Sequence, residues 1–294
     1  MADEKKVLVA GATGYLGRYV AQEFKRRGYW VRVLARSPQK LQTEGRYMEP
    51  AIDQLCDELF VGEITRPETL AGVCDGIDIV FSSIGITRQR DGLGFMDVDY
   101  QGNMNLLAEA LDSKVRKFVF VSVFMADRIT DLAREREFFV QELKGSGLAY
   151  RIVRPSGYFS DMSEFLKMAI GGKVYVLGTG RNKINPIHGQ DLAEVCVESA
   201  ETAQNHSDQD VGGPIAYSYE EIGALACDIL GVKKKIVHIP LGLARLVVAC
   251  IRPFNSRAYQ AVRFFTTVMS NDFVAPKAGS NRLDRYLEQM SKQG

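Results

Sequence analysis

The stretch Lys5-Lys6-Val7-Leu8-Val9-Ala10-Gly11-Ala12-Thr13-Gly14-Tyr15-Leu16-Gly17-Arg18-Tyr19-Val20 decides the fold. An apolar, β-favouring run reaches a three-glycine turn, after which Leu16, Val20 and Phe24 recur at helical spacing, so the stretch reads strand, turn, helix. Gly11 lets the chain leave the strand in a conformation that a side chain would obstruct. Gly14 lets backbone N–H groups approach a pyrophosphate, and Gly17 lets the helix pack against the strand. The helix aims its unpaired N–H groups and positive dipole end at the same place. The run Tyr29–Ala35 then closes a strand–helix–strand unit. A dinucleotide phosphate is therefore expected at Gly11, Thr13, Gly14, Tyr15, Leu16 and Gly17.

Strand and helix patterns keep alternating outward from this unit. Strands are expected at 5–10, 30–35, 58–63, 77–82, 117–122 and 149–153, and helices at 15–28, 67–74, 100–112 and 133–145. The strands are apolar runs without clean alternation, as in a parallel sheet covered on both faces. The expected fold class is α/β, a Rossmann-type doubly wound parallel sheet with a small C-terminal substrate lobe. Such sheets bind ligands beyond the carboxyl ends of their strands. At the second strand end, Arg36, with Ser37 and Lys40, matches a 2′-phosphate and favours NADP over NAD; the other reading is a solvated loop arginine. At the fourth, the small residues Ser83 and Gly85 let the backbone lie against a cofactor. The polar loop Thr87–Gly92 reads as an ordinary loop.

Composition narrows the function classes. The chain has 294 residues, 46% hydrophobic and 25% charged, with a net charge of +1, which is ordinary for a globular protein and does not call for nucleic acid. Cys56, Cys74, Cys196, Cys227 and Cys250 form no C-x-x-C pair and read as buried thiols in a reducing compartment. His188, His206 and His238 lack ligand spacing, so no metal is expected. The start Met1-Ala2-Asp3-Glu4 is acidic, and the apolar run Leu241–Ile251 is about half the length needed to span a bilayer. A cytoplasmic protein without an integral membrane segment is the expectation. Leu241–Ile251 and Ala258–Met269, parted by Arg252-Pro253-Phe254, read as packing helices of the small lobe, with a lid, a dimer contact or a membrane-surface face as alternatives.

The glycine spacing, G-x-x-G-x-x-G at Gly11, Gly14 and Gly17, resembles that of the short-chain dehydrogenase/reductase superfamily, particularly its extended and NmrA-like (atypical) branches. Asp99–Leu107, Ser146-Gly147-Leu148 with Arg154-Pro155, and Asn185–Ala193 extend the resemblance over nearly the whole chain. It implies a dinucleotide-binding domain over 1–155, rejoined by 183–202, and a substrate or interaction lobe over 156–182 and 203–294. It also implies that Glu63 contacts the adenine, unless it caps a helix, and that Gly102, Asn103 and Asn105 support the sheet ends. Ser122 would hydrogen-bond a substrate oxygen. The superfamily's Tyr-x-x-x-Lys pair is not present in its usual form: Arg136 stands at the lysine position, where it would hold the ribose, and Leu132 stands where tyrosine would be. Arginine does not donate a proton near neutral pH. Tyr158, Tyr100 or water is left as the proton source, with Pro155, Ser156 and Gly157 beside the nicotinamide. Tyr158 and Phe159 either line the substrate cleft or fill the core of the small lobe. His188 is either an acid–base group or, more ordinarily, a structural histidine. The implied function is an NADP(H)-dependent oxidoreductase acting on a conjugated or carbonyl small molecule. The alternative is a non-catalytic NADP(H)-binding regulatory or assembly protein with a protein partner.

Overall fold

The computed structural model describes residues 4–86, 92–129, 133–251 and 256–293. The chain divides into two compact units, Met1–Ser122 with Ala133–Arg154 and Leu192–Gln209, and Val123–Leu132 with Pro155–Asp191 and Asp210–Gly294. The strands are β1 (Lys6–Ala10), β2 (Trp30–Ala35), β3 (Glu58–Val61), β4 (Ile79–Ser82), β5 (Lys117–Val121), β6 (Ala149–Pro155), β7 (Val174–Leu177), β8 (Lys183–Ile184), β9 (Ser207–Val211), β10 (Tyr217–Ser218) and β11 (Ile236–Ile239). The helices are α1 (Tyr15–Arg26), α2 (Asn103–Asp112), α3 (Arg134–Gly145), α4 (Phe159–Ile170), α5 (Gly189–Glu201), α6 (Tyr219–Ile229), α7 (Leu241–Ile251), α8 (Ser256–Met269) and α9 (Leu283–Ser291).

Among the described residues the main sheet has seven strands in the order β3-β2-β1-β4-β5-β6-β9. The pairs from β3 through β6 are parallel. This is the doubly wound α/β fold, and its strand order reverses between β1 and β4, where such sheets open a crevice. Alternation along the strands sends Leu8, Val80, Phe118, Phe120 and Ile152 to one face, where they pack with Leu106 and Ala110 of α2 and Phe139 and Leu143 of α3. The Phe139 ring lies 4.7 Å from Phe120 and 5.8 Å from Phe118.

Three expectations change. The strands do not all bury both faces: on edge strand β3, Leu59 and Val61 are exposed. The helix expected at 67–74 is only a 3₁₀ turn, Pro67–Thr69, because Gly72 adopts a left-handed backbone that α-helix excludes. The seventh strand, Ser207-Asp208-Gln209-Asp210-Val211, is too polar to show an apolar run.

In the second unit β8 pairs antiparallel with β10, and β7 parallel with β11. Ser218 caps α6 as its residue type suggests: its Oγ accepts the Glu221 N–H at 3.1 Å, and the Glu221 carboxylate accepts the Ser218 N–H at 2.7 Å. The segment 183–191, expected with the dinucleotide-binding domain, belongs here. Buried Asn185 joins it to Gly213 and Ala275 through three side-chain hydrogen bonds with backbone, and Asp191 accepts N–H groups from Ser280 and Asn281. The helix starts at Gly189, and the Asp191 carboxylate of its first turn serves that tie. Residues 203–209 and 123–132 also fall on the opposite side of the expected boundary, the former because β9 joins the main sheet.

Replacing Phe139 by Ala should cost about 3–5 kcal/mol in urea unfolding, from lost apolar burial and an unfilled cavity. The adjacent exposed Phe138→Ala should change stability by no more than about 0.5 kcal/mol.

Candidate functional site

The glycine turn is built by close approach. Gly11 has φ +89°, and a Cβ there would meet Ser83 Oγ at 2.7 Å. A Cβ on Gly17 would lie 2.1 Å from the Gly11 carbonyl oxygen, so α1 touches the end of β1 backbone to backbone. Gly14 differs: its Cβ would meet only Gly11 O, at 3.3 Å. The chain's own packing hardly demands glycine there, whereas a ligand approaching the backbone would. Gly14 is the N-cap of α1; among the described residues no side chain caps that terminus, and its first turn carries no acidic group. Lys25 and Arg26 occupy the last turn. Such a terminus carries roughly half a positive charge and several unpaired N–H donors. Thr13 and Gly14 are exposed and Tyr15 half-buried, while the Leu16 side chain is buried, leaving its backbone as the part available to a ligand. These residues fit a dinucleotide pyrophosphate.

The other strand ends of this unit carry the remaining expected residues. Exposed Arg36 follows β2 with half-buried Ser37, and its Nη1 donates to Glu63 Oε1 at 3.3 Å. Arg36 and Glu63, expected to act separately on 2′-phosphate and adenine, are thus brought together. Ser83 and Gly85 follow β4, with the Ser83 N–H donating to Ala10 O at 3.1 Å.

Arg136, on the first turn of α3, is held by Asp99: Nε donates to Oδ1 at 2.6 Å, and the Asp99 side chain is 1% exposed. The Ile86 N–H donates to Asp99 Oδ2 at 3.1 Å. Burial pushes the Asp99 carboxyl up, against the opposing pull of Arg136 and that N–H. Gly85 makes room for this pair, since a Cβ there would meet the Arg136 guanidinium at 1.7 Å and Asp99 Oδ1 at 2.6 Å. Asp99 lies in a π-helical turn, Met96–Gly102, leading into α2. There Asn103 Nδ2 donates to the Asp99 carbonyl oxygen at 2.9 Å, and Asn103 Oδ1 accepts from Ser82 Oγ at 2.7 Å. With Asn105 Nδ2 donating to Ile64 O at 2.9 Å and Gly102 against Ile64, this segment supports the sheet ends as its sequence suggests.

Ser122 is 1% exposed and its Oγ donates to Glu137 Oε1 at 2.6 Å. A hydroxyl has one proton, so in this geometry Ser122 offers a substrate only lone pairs. Arg154 donates to Glu137 at 3.1 Å and to Asp208 at 2.5 Å, and Lys144 to Asp208 at 2.8 Å. Burial works against the Asp208 carboxylate, but Lys144 and Arg154 outweigh it and hold its pKa below the usual range. Asp99 and Glu137 are the partners that sequence reading missed. Asp99 stands within the quoted Asp99–Leu107 segment and Glu137 beside Arg136, but pairings over 37 and 15 residues leave no local signal. Tyr100 Oη is 3.5 Å from Glu142. Leu132, at the position of the usual tyrosine, and the loop Thr87–Asp91 lie outside the described residues, as do Arg252-Pro253-Phe254 between α7 and α8.

In the second unit Pro155 is buried, Gly157 half-buried and Tyr158 the N-cap of α4. The Ile187 N–H donates to Gly157 O at 2.9 Å, and the Phe159 N–H to Ile187 O at 3.1 Å. Phe159 is core, 1% exposed. His188 packs edge-on against Phe159 and Tyr286, and its Nδ1 accepts the Gln190 N–H at 3.2 Å. Burial lowers its pKa, only partly opposed by Asp191, which suits a neutral packing imidazole. The cysteines are not uniformly buried: Cys74, Cys196 and Cys227 are, Cys56 is half-buried, and Cys250 is exposed. Burial pushes the Cys74 thiol up to about 12. Among the described residues no helix is long and apolar enough to cross a membrane.

Comparison with known proteins gives the same picture. A family described as NAD(P)H-binding matches residues 11–203. The chain is 27% identical over 245 residues to the photosystem II assembly factor Ycf39 of Trieres chinensis, covering 82% of this chain and 74% of that protein. It is also 27% identical over 262 residues to the chloroplastic divinyl chlorophyllide a 8-vinyl-reductase of Zea mays, covering 84% of this chain but only 65% of the reductase. The structure of a Citrobacter sp. triphenylmethane reductase shares the fold, with TM-score 0.76 and 14% identity over 98% of this chain and 99% of that one.

Two outcomes are expected. Asp99→Asn should cost about 3–5 kcal/mol in chemical denaturation by depriving Arg136 of its buried carboxylate, and Asp99→Asn with Arg136→Met should recover part of the loss. Because folding lowers the His188 pKa, the unfolded chain binds the extra proton first, so stability should fall as pH drops below the ordinary 6.5 and level off below the folded value. Melting curves from pH 8 to pH 5 should show that component flattened in His188→Asn.

Proposed function

Because this chain belongs to the NAD(P)H-binding family and is an atypical short-chain dehydrogenase/reductase, we propose that it is an NADP(H)-dependent oxidoreductase of the NmrA-like type, reducing a conjugated double bond or a carbonyl. The carrying observation is the pairing at the strand ends: Ser122 is engaged by Glu137 and Arg136 by Asp99. That arrangement has hydrogen-bonding groups in place, while the sequence has Leu132 where the usual tyrosine acid would stand, and it favours conjugated acceptors over simple carbonyls. A reduced nicotinamide bound here would supply hydride.

The chain's own residues orient and protonate. The α1 N-terminus with Gly11, Gly14 and Gly17 holds pyrophosphate, and Arg36 with Ser37 holds the 2′-phosphate once Arg36 exchanges Glu63 for the stronger anion. Ser83 and Gly85 would line the cofactor, Arg136 would hold its ribose, and Pro155 and Gly157 would be its nicotinamide-side residues. Ser122 polarises an acceptor oxygen by turning its proton away from Glu137, and Tyr158 or water delivers the proton. The five cysteines are free thiols, which suits a reducing compartment, and we assign the cytoplasm.

A second reading, an NADP(H)-binding regulatory or assembly protein acting on a protein partner, draws support from the 2.6 Å Asp99–Arg136 pair in the place of the usual lysine and from the assembly-factor relative. Turnover separates the two. NADPH oxidation, followed by nicotinamide absorbance against a panel of enones, quinones and aldehydes, is expected with an enone or quinone; tight NADPH binding with no oxidation by any of them would establish the second reading. In calorimetric titration, Arg36→Ala should weaken NADPH at least about tenfold more than NADH, about 1.4 kcal/mol. Equal losses would remove the 2′-phosphate assignment.

A further inference from the structure

The crossover from β2 to β3 is built without an α-helix. Residues 36–57 hold one short 3₁₀ turn, Pro38–Leu41, and otherwise turns and irregular backbone. Connections of that length are uncommon, usually belong to binding segments, and must find partners for their own carbonyls. Here α1 supplies them. Arg18 donates from Nη1 to Thr43 O and, at 3.0 Å, to Pro50 O, and from Nη2 to Lys40 O. The next residue, Tyr19, donates its hydroxyl to Met48 O at 3.0 Å, and Met48 stands at φ +65°. Two consecutive side chains of α1 thus hold the segment from its 3₁₀ turn to Pro50.

Arginine is an unfavourable choice for packing alone at this position. Arg18 is 5% exposed, makes no ion pair among the described residues, and has a buried Nε without a hydrogen-bond partner among them. It also closes the first turn of α1, where a cation opposes the helix dipole. Glu49, the buried carboxylate of the same loop, accepts the Tyr47 N–H at 2.7 Å instead. An apolar side chain of similar volume would fill the site without these penalties. It could not tie three separated carbonyls to one point on α1, which the guanidinium fork does.

The loop tied in this way starts at the strand end that carries Arg36 and Ser37, and Lys40 is itself one of the anchored residues. We infer that Arg18 is a positioning residue for NADPH selection: by fixing the backbone of Lys40, Thr43 and Pro50 on α1, it sets where Arg36, Ser37 and Lys40 stand against a 2′-phosphate. Its guanidinium is buried and engaged by the loop, so it acts through the loop and not as a phosphate ligand. The inference rests on the reading of Arg36 and Ser37 as 2′-phosphate ligands.

The test is calorimetric titration of the intact protein with NADPH and with NADH, read as the ratio of the two affinities, for Arg18→Met, Arg36→Ala and the double variant. Arg18→Met should lower the NADPH-to-NADH ratio about fivefold or more, and the double variant should lower it by less than the product of the two single losses. Arg18→Lys keeps the charge, but one ammonium does not reproduce the fork, so the ratio should fall with it as well. Circular dichroism checks folding. If Arg18→Met does not fold, Arg18→Lys, alone and with Arg36→Ala, carries the same comparison. An unchanged ratio in Arg18→Met, a wild-type ratio in Arg18→Lys, or single losses that simply multiply would overturn the inference and leave the role of Arg36 standing. Arg36→Ala weakening both nucleotides equally would instead remove the 2′-phosphate reading, and this inference with it.

Discussion

The contact between the end of β1 and the start of α1 constrains everything around it. The helix passes so near the strand that a single methyl group on Gly17 would penetrate the Gly11 carbonyl. Two backbones that close leave no room for side chains between them, and among the described residues no side chain caps the helix N-terminus. A bare, uncapped terminus has N–H groups that must find partners in water or in a bound anion. The parallel sheet then delivers other strand ends beside it, Ser83 directly and Arg36 and Glu63 from the neighbouring strands.

A second set of constraints governs the chemistry available there. Asp99 is buried, and a buried carboxylate is tolerable only when paired. Arg136 meets that need, and Gly85 provides the space for both. The guanidinium is consequently a strut between the loop after β4 and α3 as well as a candidate ribose ligand. Ser122 is similarly double-edged: its proton goes to Glu137, whose other contacts run through Arg154 to Asp208 and Lys144. The groups nearest the expected reaction centre are thus parts of two charge networks that hold α3 on the sheet. Any role in turnover has to be reached by exchanging those partners for a ligand.

The second unit is organised by different means. Its sheets are two-stranded and short, and its connections depend on buried polar hubs. Asn185 and Asp191 each gather backbone groups some 90 residues away, and His188 stays neutral in an aromatic pocket. Helices α4, α6 and α9 supply its apolar core, with Phe159, Phe165, Tyr219, Ile222 and Leu287 buried. Helix α7 has almost no buried side chain.

Sequence alone determined the Rossmann-type sheet and the glycine turn between β1 and α1, because apolar runs, glycine spacing and a helical repeat are local properties that the backbone reads directly. The supporting role of Asn103 and Asn105 was legible only through the family resemblance of their segment. Tertiary structure decided what each candidate side chain touches. Arg36 with Glu63, Arg136 with Asp99 and Ser122 with Glu137 are encounters between separate elements, and charge on one residue does not announce its partner. It also decided the polar strand β9, which is held by its place beside β6 and not by its own composition, and the transfer of 183–191 to the second unit through Asn185. On α7 an identical apolar spacing describes a buried and an exposed helix, and only packing distinguishes them: Leu243, Leu246 and Val247 face outward because nothing else in the described chain covers them.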